Sequence, residues 1–190
     1  MDKMINSTKS PLVSEMSKSR VRLQKMIFSA LLIALGVAGS LLPFSTFPIG
    51  ASRCAPLQHL INVLGAVLLG PGYAVINAFL ISLLRNMLGT GTLLAFPGSM
   101  IGALLAGLMY RWFQKDGLAV LGEFVGTGIL GGMAAYPVAR WLIGNTPGTI
   151  TFFIVPFMIS CSVGSAAAFV LLQALSRTRV IRPGFQVKTE

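Results

Sequence analysis

A few polar side chains interrupt the long apolar stretches of this sequence, and they are the candidates for chemistry or binding. Some precede or lie within the apolar stretch 56–70, and others surround a glycine- and threonine-rich break after the stretch 72–88. One acid, Glu123, lies inside the stretch 118–140. If the stretches cross a membrane, each ionisable group costs roughly 2.5–3.5 kcal/mol at the bilayer centre, so it usually faces a bundle interior or a solute pathway. The candidate binding residues are Arg53, Gln58, His59, Asn62, Arg85, Asn86, Thr90, Phe96, Ser99, Glu123 and Tyr136.

Several of these residues also have ordinary structural explanations. Gln58 and Asn62 are four positions apart and share one face of a predicted helix. His59 fits an interhelical hydrogen bond as well as a ligand contact. Arg85 fits a guanidinium that reaches the outer head groups as well as a binding role, and Arg53 is favoured as a residue of a loop or rim.

Glu123 is predicted in the cytoplasmic half of its helix and Arg85 in the outer half of another. At 1.5 Å per residue their backbones are separated by roughly 15 Å along the membrane normal, which argues against a direct salt bridge. Anchoring to a polar group of another helix is slightly favoured over ligand binding for Glu123, and a coupling role stays open. Phe96 and Tyr136, each before a proline, are predicted to wall a pocket.

No enzyme signature is visible in the chain. It has no GxSxG, no HExxH, no paired cysteines for zinc and no phosphate loop with its lysine. A single histidine excludes a multi-histidine metal site. The sequence therefore predicts no enzyme, no cofactor and no metal, and any use of ATP would require another subunit.

The composition is that of a membrane protein. Of 190 residues, 54% are hydrophobic and 11% charged, whereas a soluble domain carries roughly 25% charged residues; mean hydropathy is +0.79. The net charge of +10 is concentrated toward the two termini, which indicates membrane orientation rather than binding of nucleic acid.

Six segments are predicted to cross the membrane, since about 20 residues span roughly 30 Å of hydrocarbon. The segments are 23–42, 56–70, 72–88, 93–112, 118–140 and 149–175. Gly70-Pro71-Gly72 is a turn signal, so the second and third should form a helical hairpin. The predicted fold class is an all-α integral membrane protein, a six-transmembrane-helix bundle spanning residues 23–176. Residues 1–22 are predicted to be a disordered basic tail, and 177–190 a basic C-terminal tail.

Val37-Ala38-Gly39 resembles a signal-peptide cleavage site, but the polar region before this first apolar segment is too long, so a retained helix is predicted. Most lysines and arginines lie in the two tails and in the linker that contains Lys115. By the positive-inside rule, the N- and C-termini are both predicted to be cytoplasmic.

Small residues recur every fourth position on several segments, which lets helices approach closely. Most of these faces are expected to hold the bundle together, whereas the first helix could instead face another protein. The sets are Ala30, Ala34 and Ala38; Gly98, Gly102 and Ala106; Gly122 and Gly126; Gly128 and Gly132; and Ser160, Gly164 and Ala168.

Together these motifs resemble a known family. Six short helices, a basic tail and Ala30-Leu-Leu-Ile-Ala34 are similar to the substrate-binding S component of an energy-coupling factor (ECF) vitamin transporter. The resemblance is more specific to the ThiW family, covers about residues 23–175, and is strongest in the block from Arg85 to Gly102. The other matching motifs are Arg53-Cys-Ala-Pro-Leu-Gln-His59 with Asn62-Val63, Leu69-Gly-Pro-Gly-Tyr-Ala74, and Gly122-Glu123 with Gly126-Thr-Gly128.

The resemblance implies capture of a thiamin precursor, hydroxyethyl-thiazole, from outside the cell. Such components pair with a transmembrane coupling protein and two ATP-binding subunits in the cell membrane, and are thought to topple to release the ligand inside. By analogy, Ala30, Ala34 and Ala38 would contact the coupling protein.

No individual ligand contact is carried over from the family, but a small heteroaromatic ring suits an aromatic wall and a few polar partners such as Asn86, His59 or Gln58. Three alternatives stay open: a stand-alone secondary transporter in which Glu123 carries a proton, an S component for another vitamin such as thiamin, and a structural protein without a ligand.

Overall fold

The computed structural model describes residues 11–43, 45–49, 52–144 and 147–177, and these ranges form a helical bundle with one small hairpin. The elements are α1 (Pro11–Ser40), β1 (Phe47–Ile49), β2 (Ser52–Cys54), α2 (Pro56–Leu69), α3 (Pro71–Met87), α4 (Ala95–Phe113), α5 (Asp116–Ile143) and α6 (Ile154–Arg177). The fold is therefore helical, as predicted, except for the two strands.

The first helix begins earlier than hydropathy predicts. Residues 11–22, expected to be disordered, are helical from Pro11. The helix extends beyond the predicted apolar segment because hydropathy reports apolar length, whereas charged and polar residues also form helices when they are exposed. Residues 1–10, and residues 178–190 of the predicted C-terminal tail, lie outside the described residues.

The predicted helical hairpin is confirmed. Helices α2 and α3 are separated by Gly70 alone, whose φ of 93° lies in the left-handed region that glycine adopts without strain. Pro71 opens α3, where its missing N–H costs nothing. At 14 residues, α2 is only about 21 Å long at 1.5 Å per residue.

The break after α3 is present, but its end differs from the prediction. The backbone N–H groups of Thr90 and Gly91 both donate to the carbonyl of Arg85, at 2.9 and 3.0 Å, and Gly89 has a φ of 72°. Helix α4 starts at Ala95 rather than at residue 93, and it includes Pro97, because proline is compatible with the first turn of a helix.

The linker from α1 to α2 contains an antiparallel hairpin that the sequence analysis did not predict. Strands β1 and β2 pair Phe47 with Cys54 and Ile49 with Ser52. Three-residue strands give too short a pattern for period-two alternation to be recognised.

Helix α5 is one continuous helical segment with two wide stretches, Phe124–Gly131 and Val138–Ile143, in which the turns are π-helical. It packs closely on α4 through glycines: a Cβ on Gly126 would lie 2.7 Å from the Cα of Gly102. The interpretation of the α4 and α5 small-residue faces as packing faces is therefore confirmed.

Three helices among the described residues are long and apolar enough to cross a membrane, namely Glu15–Ser40, Asp116–Ile143 and Ile154–Arg177. Leucines and valines such as Leu31 and Val170 are exposed on their outer sides, as expected of helices that face lipid. The buried core beneath them is formed by α2 with parts of α1, α3, α4, α5 and α6.

Candidate functional site

A cleft lies between the β-hairpin, the start of α2, the end of α3, the start of α4 and the start of α6. It encloses about 370 Å³, counting its open mouth. Five predicted candidates line it: Arg53, Gln58, His59, Arg85 and Ser99. Eight further lining residues were not selected from the sequence: Ser52, Ala55, Thr92, Ala95, Thr127, Pro156, Phe157 and Ser160.

Arg85, in the last turn of α3, is the largest fully buried side chain in the described part of the chain and only 2% exposed. Its guanidinium is therefore not a free cation at the surface of the bundle. One terminal nitrogen donates to the amide oxygen of Gln58, and the other donates to the carbonyl of Thr90 at 3.1 Å. The turn after α3 therefore folds back over its own arginine.

Gln58 connects Arg85 to a chain of hydroxyl groups. Its Nε2 donates to Ser82 Oγ at 2.7 Å, and Ser82 Oγ lies 3.0 Å from Ser99 Oγ. Ser82 was not predicted, although its position three residues before Arg85 puts it on the same helix face. These bonds join α2, α3 and α4 beneath the cleft.

The second charged group of the site is Glu123 on α5, which is completely buried. Its Oε1 lies 2.9 Å from His59 Nδ1 and accepts from Asn62 Nδ2 at 3.0 Å. The hydroxyl hydrogen of Thr127 reaches either this oxygen, at 2.9 Å, or the carbonyl of Gly98, at 3.1 Å. Buried polar groups need such partners, because an unpaired one loses its hydration without compensation.

Glu123 makes no salt bridge with Arg85, and its carboxylate contacts two polar side chains of α2, His59 and Asn62. Asn62 also donates to the carbonyl of Ser99, at 3.2 Å. The serine and asparagine groups thus link the Arg85 end of the site to the Glu123 end. Of the three side chains that contact Glu123, His59 and Thr127 line the cleft and Asn62 does not.

Asn86 and Thr90 hold the turn between α3 and α4 rather than lining the cleft. Asn86 Nδ2 donates to the carbonyls of Ser82 and Thr92, at 2.8 and 3.0 Å. The Thr90 hydroxyl lies 3.0 Å from that of Ser40 at the end of α1. Both residues therefore position the segment that covers Arg85.

The β-hairpin forms part of the rim. Arg53 is exposed, lines the cleft and donates to the carbonyl of Gly89 at 2.9 Å, so it lies at the mouth of the cleft. Beside it, the buried Cys54 thiol contacts the carbonyl of Pro156 at 3.3 Å. Burial raises the pKa of this thiol, so it stays protonated as a donor, and both Cys54 and Cys161 are free.

The aromatic wall differs from the one expected. Phe96 packs against the exposed ring of Phe79, with centroids 5.7 Å apart, and the Tyr136 hydroxyl accepts from Arg140 at 3.0 Å; neither Phe96 nor Tyr136 lines the cleft. Phe157, 8% exposed, does. A Cβ on Gly98 would lie 2.7 Å from this ring, so the glycine leaves room for it.

Two of the missed residues had a usable signal in the sequence. Thr127 lies four residues after Glu123 and therefore shares its helix face. Ser160 was noted only as a member of a small-residue face, yet its hydroxyl accepts from the backbone N–H of Ala55 at 2.8 Å. Phe157 had no comparable signal, because nothing in its spacing separates a wall residue from a lipid-facing one.

A comparison with family models gives one match, to the thiamine-precursor transporter protein (ThiW) model, over residues 26–178. No curated protein and no solved structure matches the chain significantly. The matched range includes every helix from the membrane part of α1 to the end of α6, and all the residues of the cleft. This chain therefore belongs to the ThiW family of thiamine-precursor transporters.

Proposed function

We propose that the protein is the substrate-binding S component of an ECF-type importer and that it captures hydroxyethyl-thiazole, or a related thiazole, from outside the cell. The observation that carries the proposal is the cleft, in which His59, Gln58 and Ser99 offer hydrogen bonds beside the ring of Phe157. Small-molecule sites combine apolar walls with a few convergent polar groups in this way. The family supplies the expectation of a thiamin precursor.

The proposed arrangement in the membrane has six crossings and cytoplasmic termini. It is supported by the positive-inside distribution of lysines and arginines and by the family's transporter character. The cleft then opens toward the outside, since the end of α1 and the β-hairpin lie on the far side of the bundle from the basic N-terminal segment. A multi-pass protein of the cell membrane, with its membrane domain over residues 23–176, follows from this topology.

The proposed partners are a transmembrane coupling protein and two ATP-binding subunits. The chain itself has no nucleotide-binding motif, so ATP hydrolysis would have to occur elsewhere. Ala30, Ala34 and Ala38 are all exposed on α1, while the opposite face packs on α2 and α3. A stripe of small side chains allows another helix to approach closely.

One observation favours a second candidate, a proton-coupled secondary transporter. Glu123 Oε2 is buried and has no hydrogen-bond partner among the described residues. A carboxyl group that gains and loses a proton during transport would use such an oxygen.

Calorimetry on the purified protein, against hydroxyethyl-thiazole, thiamin and the pyrimidine precursor, tests the ligand. Saturable binding of thiazoles but not of the pyrimidine is expected, and tighter binding of thiamin would reassign the vitamin. Uptake into vesicles separates the two mechanisms. Accumulation driven by a proton gradient, with no ATP-binding subunits present, would refute the S-component proposal.

A further inference from the structure

Arg85 is a buried cation without a carboxylate partner in the part of the chain that the structure describes. The lysine–carboxylate pair found there joins Lys18 to Glu15, and Glu123 contacts His59 instead of Arg85. The acceptors of Arg85 are neutral, an amide oxygen and a backbone carbonyl. Buried charges are normally paired, because removing them from water is costly unless an opposite charge compensates.

The hydrogen-bonding capacity of Arg85 is also incompletely used. A guanidinium has five N–H donors, whereas two of its nitrogens have partners and Nε has none among the described residues. The side chain is 2% exposed, so bulk water does not replace the missing acceptors. It lines the cleft, so a ligand in the cleft could supply them.

A second guanidinium stands at the mouth of the same cleft. Arg53 lines it and spends one donor on the carbonyl of Gly89. The lining contains no aspartate or glutamate, and Glu123 lies behind His59, to which it is bound. The Arg53–Arg85 end of the cleft is therefore positively charged without local compensation.

We infer that the ligand carries an anionic group, a carboxylate or a phosphate monoester, and that this group binds between Arg85 and Arg53. Guanidinium groups bind both kinds of anion through paired, charge-assisted hydrogen bonds. The rest of the ligand then lies toward His59 and Phe157. The inference rests on the proposed function and narrows its ligand: among the thiazoles proposed above, the cleft prefers one whose side chain ends in an acid over hydroxyethyl-thiazole, whose side chain ends in a neutral alcohol.

Calorimetry with three thiazoles that share one ring tests this inference. Their side chains are hydroxyethyl, carboxymethyl and the phosphate ester of hydroxyethyl. At least one acid is expected to bind tenfold or more tightly than the alcohol, and the better acid identifies the anion. Equal or tighter binding of the alcohol would overturn the inference and leave the proposed function standing; absence of binding by all three would overturn both.

Arg85→Gln is expected to abolish the advantage of the acid, and Arg140→Gln, which removes an exposed arginine outside the cleft, to preserve it. Retention of the full advantage in a folded Arg85→Gln protein would overturn the assignment. If Arg85→Gln does not fold, Arg53→Gln and the wild-type salt dependence decide. Acid affinity must fall in Arg53→Gln and with increasing ionic strength while alcohol affinity does not; an unchanged preference in both measurements would refute the inference.

Discussion

His59 and Glu123 are 64 positions apart in the chain, yet His59 Nδ1 lies 2.9 Å from Glu123 Oε1 in the interior of the bundle. With the carboxylate ionised, Nδ1 carries the hydrogen and donates it, which leaves Nε2 as the free nitrogen of the ring. His59 lines the cleft, whereas Glu123 does not. If a ligand binds in the cleft, Glu123 would act on it through the tautomer and orientation of His59.

This relationship predicts strong coupling between the two side chains. Glu123→Gln and His59→Gln should each weaken thiazole binding, and the double variant should lose less than the sum of the two. Residues in one hydrogen-bonded network show interaction energies of about 0.5–3 kcal/mol. The interaction energy is obtained from the calorimetric affinities of the wild type, the two single variants and the double variant.

Ser29→Ala provides the control for that cycle. Ser29 is buried and hydrogen-bonded to Asn77, between α1 and α3 and away from the cleft. Its combination with Glu123→Gln should be additive in binding free energy. Additivity of the His59 and Glu123 variants themselves would show that the contact does not serve binding.

The close approach of α4 to Glu123 gives a second prediction. A Cβ on Gly102 would lie 2.6 Å from Glu123 Oε2 and would also collide with Thr127 Oγ1. Gly102→Ala should therefore lower the unfolding temperature and weaken ligand binding, since overpacking a core costs about 1–3 kcal/mol.

The matched control is Gly72→Ala, because a Cβ there meets nothing within 4 Å. This residue lies in the first turn of α3, where alanine is the better helix former. Its unfolding temperature should equal or exceed that of the wild type. Equal stability of the two variants would mean that the α4–α5 contact is looser than described.

The aromatic wall gives a third prediction, in which sequence and structure disagree. Phe157→Ala should weaken thiazole binding at least tenfold, because Phe157 lines the cleft and aromatic pairs add about 0.5–1.5 kcal/mol beyond the area they bury. Phe96→Ala should leave affinity within twofold, since Phe96 packs against the exposed ring of Phe79. Calorimetry on both variants measures the two affinities. A larger loss of affinity in Phe96→Ala than in Phe157→Ala would show that Phe96 is the aromatic wall.

The sequence allowed the helical segments and the polar content of the site to be predicted from local patterns. The Gly70 turn, the break after Arg85 and the shared face of Gln58 and Asn62 each depend on residues close together in the chain. The absence of a salt bridge between Arg85 and Glu123 was argued from helix rise alone. These features need no knowledge of how the helices pack.

What could not be predicted depends on the rotation of each helix about its axis. The contact between His59 and Glu123 requires α2 and α5 to turn these side chains toward each other, and a π-helical stretch begins directly after Glu123. Such wide turns shift the faces of all later residues and are frequent at functional sites. Because the rotation of each helix about its axis was unknown, Phe157 on α6 could not be distinguished from Phe96 or Tyr136 as the aromatic wall of the cleft.

The exposed alanines of α1 give the last prediction. Ala34 is exposed between Ala30 and Ala38, and we propose that this stripe contacts the coupling protein. Ala34→Leu should spare thiazole affinity, because the residue lies outside the cleft, but should reduce co-purification with the coupling protein severalfold by preventing close helix approach. Ala167→Leu, the same change at an exposed position of α6, controls for added bulk on a lipid-facing surface. Loss of co-purification in Ala34→Leu alone would locate the interface on α1. If both variants co-purify with the coupling protein at the wild-type level, the alanine stripe is not part of the interface.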